Sequence, residues 1–344
     1  MTESRYRFLA ALTADDGSPI GAAAIAPDWF PAEEAVRFQA LRCNRPIGAG
    51  TRELCEPVWD GQAGEPYVVS VRLSLGDDAA GAPAALLPIT YFAPQAQAAA
   101  AQFVQQGKLR EGDVFRYRIA ALPLPDESAA IGGAREGDWI VEEVSPSPIS
   151  GERRIAEMLA GSRHAGQSDE ADFPVLLPAS ILAQAEELKT AANENETGGV
   201  LIGHLWRDTE GPELLLEVTA LVPALHTIAQ STRLTFTPQT WDAVRGTIAL
   251  RGRGEIMCGY WHSHPSRYWC KCEPEAQKSC PLGRQFFSAD DRAVHRAVFS
   301  RAFHVALVTG DRPRQEGGWA MEHACYGWRC GTIEARGYHV ADTA

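Results

Sequence analysis

Apolar and polar positions are patterned differently in the two halves of the chain. In the first half, residues 67–75 (YVVSVRLSL) alternate and are rich in Val, which predicts a half-buried strand. Residues 113–122 (DVFRYRIAAL) alternate in the same way and predict a second strand. Between them, residues 95–106 are rich in Ala and Gln, carry no Gly or Pro, and predict a helix. From about 145 to 172 the composition shifts to Pro, Ser, Gly and charge, in SPSPISGERR and GSRHAGQSDEAD. That composition reads as a linker with a short helix near residues 153–160.

From residue 173 the patterning strengthens. Ile181, Leu182, Ala185 and Leu188 recur at helical spacing behind Pro178 and Ser180, and Asn193-Glu194-Asn195 ends that helix. Residues 198–206 (GGVLIGHLW) and 214–222 (LLLEVTALV) predict neighbouring strands, joined by a polar turn with Gly211-Pro212. STRLTFTP predicts another strand, and residues 241–250 a helix ended by Gly252 and Gly254. Residues 256–261 form a short apolar strand that runs into His262-Ser263-His264-Pro265. A helix follows Ser288, and residues 304–309 (HVALVT) predict a further strand. This order predicts an α/β fold, a mixed sheet flanked by helices over residues 173–344. A smaller α+β domain over residues 1–145 precedes it, with 146–172 as the linker.

Composition narrows the function. A chain of 344 residues with 45% hydrophobic and 22% charged residues is long enough for two packed domains. A formal net charge of -12 argues against general nucleic-acid binding, which needs basic surface, while it suits a basic protein partner. The first residues lack the apolar core of a signal peptide. No stretch reaches the ~18 apolar residues of a membrane span. The expectation is a cytoplasmic protein with no membrane partner. Its eight cysteines are then thiols or metal ligands rather than disulfides. Cys43 and Cys55 lack a paired motif and read as buried thiols.

Three short patterns carry candidate chemistry. His262 and His264, two apart on a strand, point to one face, so both imidazoles reach one metal ion. Alone, the pair is more commonly two ordinary polar residues on one strand face. Ser288 and Asp291 have the spacing of a helix capping pair, and also of an oxygen ligand beside a hydrogen-bond donor. Glu196, just ahead of two glycines and a buried strand, is either a solvated loop residue or a carboxylate facing a cavity. Pro265 ends the histidine strand and leaves the pair at a sheet edge or a loop mouth.

Together these pieces resemble the JAMM (MPN+) zinc metalloprotease family. Glu196 precedes Gly199-Val200-Leu201-Ile202-Gly203; His262-Ser263-His264-Pro265 and Ser288-Ala289-Asp290-Asp291 follow in the family's order. The resemblance covers roughly residues 173–310. It implies that His262, His264 and Asp291 bind a catalytic zinc with one open position, at which water is activated near neutral pH. It makes Glu196 the general base and Ser288, with the metal, the oxyanion support. Ser263 takes a structural role; His204, His226, His295, His304, His323 and His339 match no ligand position. The implied activity is that of an isopeptidase cutting the amide after the C-terminal tail of ubiquitin or a ubiquitin-like protein, that protein or its conjugate being the partner. An extended tail adding as a strand near the zinc would supply main-chain affinity, and the N-terminal domain would recognise the modifier or its target. The alternatives are a zinc amidohydrolase on the same fold, acting on a small-molecule or peptidoglycan amide, and a non-catalytic scaffold. The scaffold predicts a broken motif, and all five positions are intact.

The chain departs from the family in one place. Residues 265–287 are well over the usual spacing between the second histidine and the serine, and they carry Cys270, Cys272 and Cys280. One reading is a second, structural zinc on these three, with a fourth ligand from Cys258, Cys325 or Cys330, Cys258 foremost. The others are a thiolate capping the catalytic zinc, and a loop of free thiols. The insertion also brings Tyr268, Trp269, Phe286 and Phe287, which either brace the loop or meet a substrate.

Overall fold

A computed structural model describes residues 5–45, 47, 51, 53–61, 65–75, 83–124, 147–225, 227–230, 233–283 and 285–342. The chain divides into two compact units, Met1–Ser145 with Cys330–Thr332, and Pro146–Arg329 with Ile333–Ala344. The class is mixed α/β, with two main sheets and covering helices. No helix among the described residues is long and apolar enough to cross a membrane.

The first unit runs β1 (Tyr6–Ala14), β2 (Pro19–Ile25), α1 (Phe30–Arg42), β3 (Glu53–Trp59), β4 (Tyr67–Leu75), β5 (Ala84–Pro88), α2 (Ala93–Gln105) and β6 (Phe115–Pro123). Its strands pair antiparallel in the order β2-β1-β6-β4-β3, with β5 also on β4. Alternate residues Phe8, Ala10 and Leu12 of β1 turn inward onto Phe92 and Phe103, so the period of two decides which face is core. Cys55 is buried as expected; Cys43, at the frayed end of α1, is exposed.

The second unit runs β7 (Ile149–Arg153), α3 (Ile155–Leu159), β8 (Arg163–Ala165), β9 (Val175–Pro178), α4 (Ala179–Ala192), β10 (Gly198–Asp208), β11 (Leu214–Pro223), β12 (Thr227–Gln230), β13 (Arg233–Phe236) and α5 (Pro238–Arg251). It continues with β14 (Ile256–His264), α6 (Ser266–Trp269), α7 (Pro274–Gln277), α8 (Ala289–Val298), β15 (Val305–Pro313), β16 (Trp319–Arg329), β17 (Thr332–Arg336) and β18 (Tyr338–Ala341). The main sheet has the order β17-β16-β15-β14-β10-β11-β9-β18-β8, with β7 also on β10, and β12–β13 form a separate hairpin. β14 runs parallel to β15 and antiparallel to β10, which makes the sheet mixed.

Two expectations are corrected here. Residues 147–172 are not a linker: β7 pairs in parallel with β10, and β8 pairs with β18. Strands this short are held by a distant partner's backbone, which local composition does not report. Of the two placements expected for the histidine pair, the sheet edge is excluded, because β14 is a central strand with both edges filled, while the pair does lie at the strand's C-terminal end. Backbone pairing by an extended tail on β14 is therefore barred.

The glycines flanking Val200-Leu201-Ile202 are required by close packing of β10 on β11. A Cβ at Gly203 would sit 1.9 Å from the Glu217 carbonyl oxygen, and one at Gly199 2.5 Å from that of Val222. Val200, Leu201 and Ile202 are completely buried between the layers, as an uninterrupted apolar strand should be.

Candidate metal centre

The C-terminal end of β14 sets the site. Alternation on the strand turns His262 and His264 to one face, and both are 2% exposed. Ser263 points the other way and is fully buried. Its hydroxyl accepts from the Thr197 N–H at 3.0 Å, while its own N–H donates to the Thr197 carbonyl at 2.8 Å. Those two bonds extend the β10–β14 ladder beyond Gly198 opposite His262. Glu196, one residue further, is thereby held at the strand mouth beside the histidines. This is the structural role expected of Ser263.

Asp291 arrives from the first turn of α8. Ser288 caps that helix: its Oγ accepts from the Asp291 N–H at 3.0 Å, and its own N–H donates to Asp291 Oδ2 at 2.8 Å. This reciprocal box satisfies two orphan donors and fixes the carboxylate. Asp291 Oδ1 then lies 3.1 Å from His262 Nε2, and Oδ2 lies 3.5 Å from His264 Nε2. The carboxylate is thus divided, with Oδ2 in the cap and Oδ1 facing His262. The two Nε2 atoms are 3.0 Å apart. The structure brings His262, His264 and Asp291 together with ligand atoms within 4.8 Å of one another.

Two imidazole nitrogens and a carboxylate converging on one point are a donor set that fits a divalent cation of nitrogen and oxygen preference. The electrostatics agree. Burial works against the charge of Asp291, yet His262 and His264 hold its carboxyl far below the usual range. Burial lowers His264, whereas for His262 the Asp291 and Glu196 carboxylates overcome burial and raise it. Glu196 is 6% exposed and is pushed up to about 7 by burial. His262 opposes that shift and the carboxylates of Asp291 and Asp290 add to it. A carboxyl near 7 is suited to taking and returning protons at neutral pH.

Several contributors carry no motif. Tyr260 stacks on His262 at 5.5 Å between ring centroids, and its hydroxyl donates to the Asp291 carbonyl at 3.1 Å. Its position two residues before His262, on the same strand face, is the signal that points to it. Phe286 stacks on His264 at 4.4 Å and Trp269 lies at 5.5 Å, so the aromatics of the insertion wall the site. Behind the sheet, Trp261 Nε1 donates to Thr309 Oγ1, which bonds His323 Nδ1, whose Nε2 bonds Glu186. His323 is therefore structural, and His204, His295 and His304 are buried without joining the ligand cluster. His226 lies outside the described residues.

Cys270, Cys272 and Cys280 form a second group of their own. Cys258 does not join them. It is fully buried near the start of β14, and burial holds it as a thiol. Five residues lie between it and His264, and those six steps span roughly 20 Å at strand rise. Cys325, pushed up to about 12 by burial, and Cys330 are also outside the group.

No protein-family model and no curated protein matches the chain. Among solved structures it is similar to a protein of Desulfitobacterium hafniense determined in solution. The identity is 18%, over 49% of this chain and 94% of that one, with a TM-score of 0.32. The site is accordingly read from its own residues.

Proposed function

We propose that this protein is a zinc-dependent isopeptidase of the JAMM type, hydrolysing the amide that follows the C-terminal tail of a ubiquitin-like protein. The observation that carries the hydrolase reading is the convergence of His262, His264 and Asp291 with the buried, proton-holding carboxyl of Glu196 beside them. The substrate class rests on the motif resemblance.

His262 Nε2, His264 Nε2 and a carboxylate oxygen of Asp291 would hold the metal, which supplies Lewis acidity and lowers the pKa of water. Glu196 takes the proton of the attacking water and returns it to the leaving amine, the role for which a carboxyl near 7 is matched. Ser288 Oγ accepts from the Asp291 N–H, so its own hydroxyl proton is left to donate to the oxyanion. Tyr260 steadies both His262 and the first turn of α8. Trp269 and Phe286 screen His264 from water.

The test combines metal analysis with cleavage of ubiquitin-like proteins carrying a fluorogenic amine on the C-terminal carboxyl. Wild type should contain zinc and release the fluorophore, while Glu196→Gln and His262→Ala should not. Wild-type turnover by Glu196→Gln would sink the mechanism. Hydrolysis of small amides with no cut at any modifier would transfer the site to the amidohydrolase alternative.

A further inference from the structure

Three thiols apart from the histidine centre meet at one point of the insertion. Cys270 ends α6, Cys272 lies two residues on, and Cys280 closes the turn after α7. Their sulfur atoms all lie within 4.8 Å of one another and none is in a disulfide. Cys270 and Cys280 are buried and Cys272 is half-buried. Backbone bonds fix the arrangement: Cys270 N–H donates to the Ser266 carbonyl at 2.9 Å, and Cys280 N–H to that of Gln277 at 3.1 Å. The Gln277 side chain donates to the Cys272 carbonyl at 3.0 Å.

We propose that Cys270, Cys272 and Cys280 bind a thiophilic divalent cation, zinc by preference, and that this ion staples the insertion beside the histidine centre. Tetrahedral zinc with Zn–S of ~2.3 Å sets sulfurs about 3.8 Å apart, so only a small contraction is required. A disulfide would use two of the thiols and leave the third without a role. A thiolate cap on the histidine centre would need a sulfur among His262, His264 and Asp291, and the two groups are separate. The described residues supply three ligands, and the half-buried Cys272 marks the side on which water or a small ligand completes the shell.

The staple has a positioning consequence. Cys270 directly follows Trp269, which packs with Phe286 against His264. Tying Cys270 to Cys280 restrains the segment that carries this wall. The cysteine site stands whether or not the hydrolase reading does.

Cobalt substitution of the full-length protein tests it, because thiolate ligands give cobalt a strong charge-transfer band in the near ultraviolet and histidine and carboxylate do not. Cobalt-loaded wild type should show the band. His262→Ala should keep it, and the triple replacement of Cys270, Cys272 and Cys280 by Ser should lose it. Cys272→Ser, at a half-buried position, should weaken it without unfolding the chain, as judged by circular dichroism. Zinc content should fall by one ion per chain in the triple variant and by a different one in His262→Ala. Absence of the band from wild type, its persistence in the triple variant, or a disulfide among the three in protein purified under reducing conditions would overturn the proposal. A band lost in His262→Ala but kept in the triple variant would also overturn it.

Discussion

Lys189 Nζ and Asp311 Oδ1 lie 2.5 Å apart, with side chains 1% and 2% exposed. The pair joins α4, which leads into Glu196, to β15, which runs beside the histidine strand. Asp311 also accepts, through Oδ2, from the Arg267 N–H at 3.2 Å, so one buried carboxylate anchors the first turn of the insertion. Two residues without a motif thus fix the approach to the site from both sides.

Removing one partner should be costly. Lys189→Met leaves Asp311 buried and uncompensated, so we expect a loss of about 3–5 kcal/mol in urea unfolding. Lys189→Met combined with Asp311→Leu should recover much of that stability but not the ordering of Arg267. A single replacement that costs less than about 1 kcal/mol would show that the pair is not buried as an ion pair.

Glu196 should show the opposite balance between stability and activity. Its carboxyl ionises near 7 in the fold, against 4.5 ordinarily, because burial disfavours the charge. Between those values the unfolded chain releases a proton that the folded chain keeps. Its contribution is therefore full below 4.5 and lost as pH rises through 7. Glu196→Gln removes this penalty. In metal-free protein at pH 8 the variant should be more stable than wild type by up to roughly 3 kcal/mol, with little difference at pH 4.5. Equal stability at both pH values, measured by chemical unfolding, would mean that Glu196 is solvated.

The candidate ligands His262, His264 and Asp291, and Glu196 beside them, are legible in sequence because each rests on a local rule. Strand alternation pairs His262 with His264, the capping box fixes Asp291 to Ser288, and an apolar run after two glycines marks where Glu196 must sit. The misreadings share another cause. Count alone makes Cys258 a candidate fourth ligand of the cysteine cluster, whereas the length of β14 carries it to the far end of the strand. The composition of residues 147–172 is that of a linker, whereas β7 and β8 exist through backbone pairing with β10 and β18. Lys189 and Asp311 are 122 positions apart, and nothing local links them.

Ser288 caps α8 and is proposed to support the oxyanion, and substitution can separate the two. As N-cap it supports α8, and Ser288→Ala should cost about 1 kcal/mol, while Ser288→Gly should cost only a few tenths. Both remove the hydroxyl, so both should lower kcat by roughly 10²–10³ with little change in KM if the hydroxyl supports the oxyanion. Activity that tracks stability, reduced in Ala but retained in Gly, would assign Ser288 to capping alone.

Acid sensitivity should trace to His295 and His304. His295 sits in the last turns of α8 among Tyr260, Phe287, Phe299 and Trp328, and among the described residues neither ring nitrogen has a hydrogen-bond partner. Burial pulls His295 down to about 3 and His304 to about 4, from an ordinary 6.5. Below 6.5 the unfolded chain gains protons that the folded chain refuses. The stability these residues contribute is therefore complete above 6.5 and is lost as pH falls toward 4 and then 3. Each contributes a slope of up to roughly 1.4 kcal/mol per pH unit in that window. His295→Phe keeps an aromatic ring in the cluster, removes two unsatisfied nitrogens and eliminates one of the two slopes. The variant should be at least as stable as wild type at pH 7 and increasingly more stable between pH 6 and pH 4. Parallel unfolding curves for the two proteins across that range would mean that His295 is protonated within the fold, and the buried neutral imidazole would have to be abandoned.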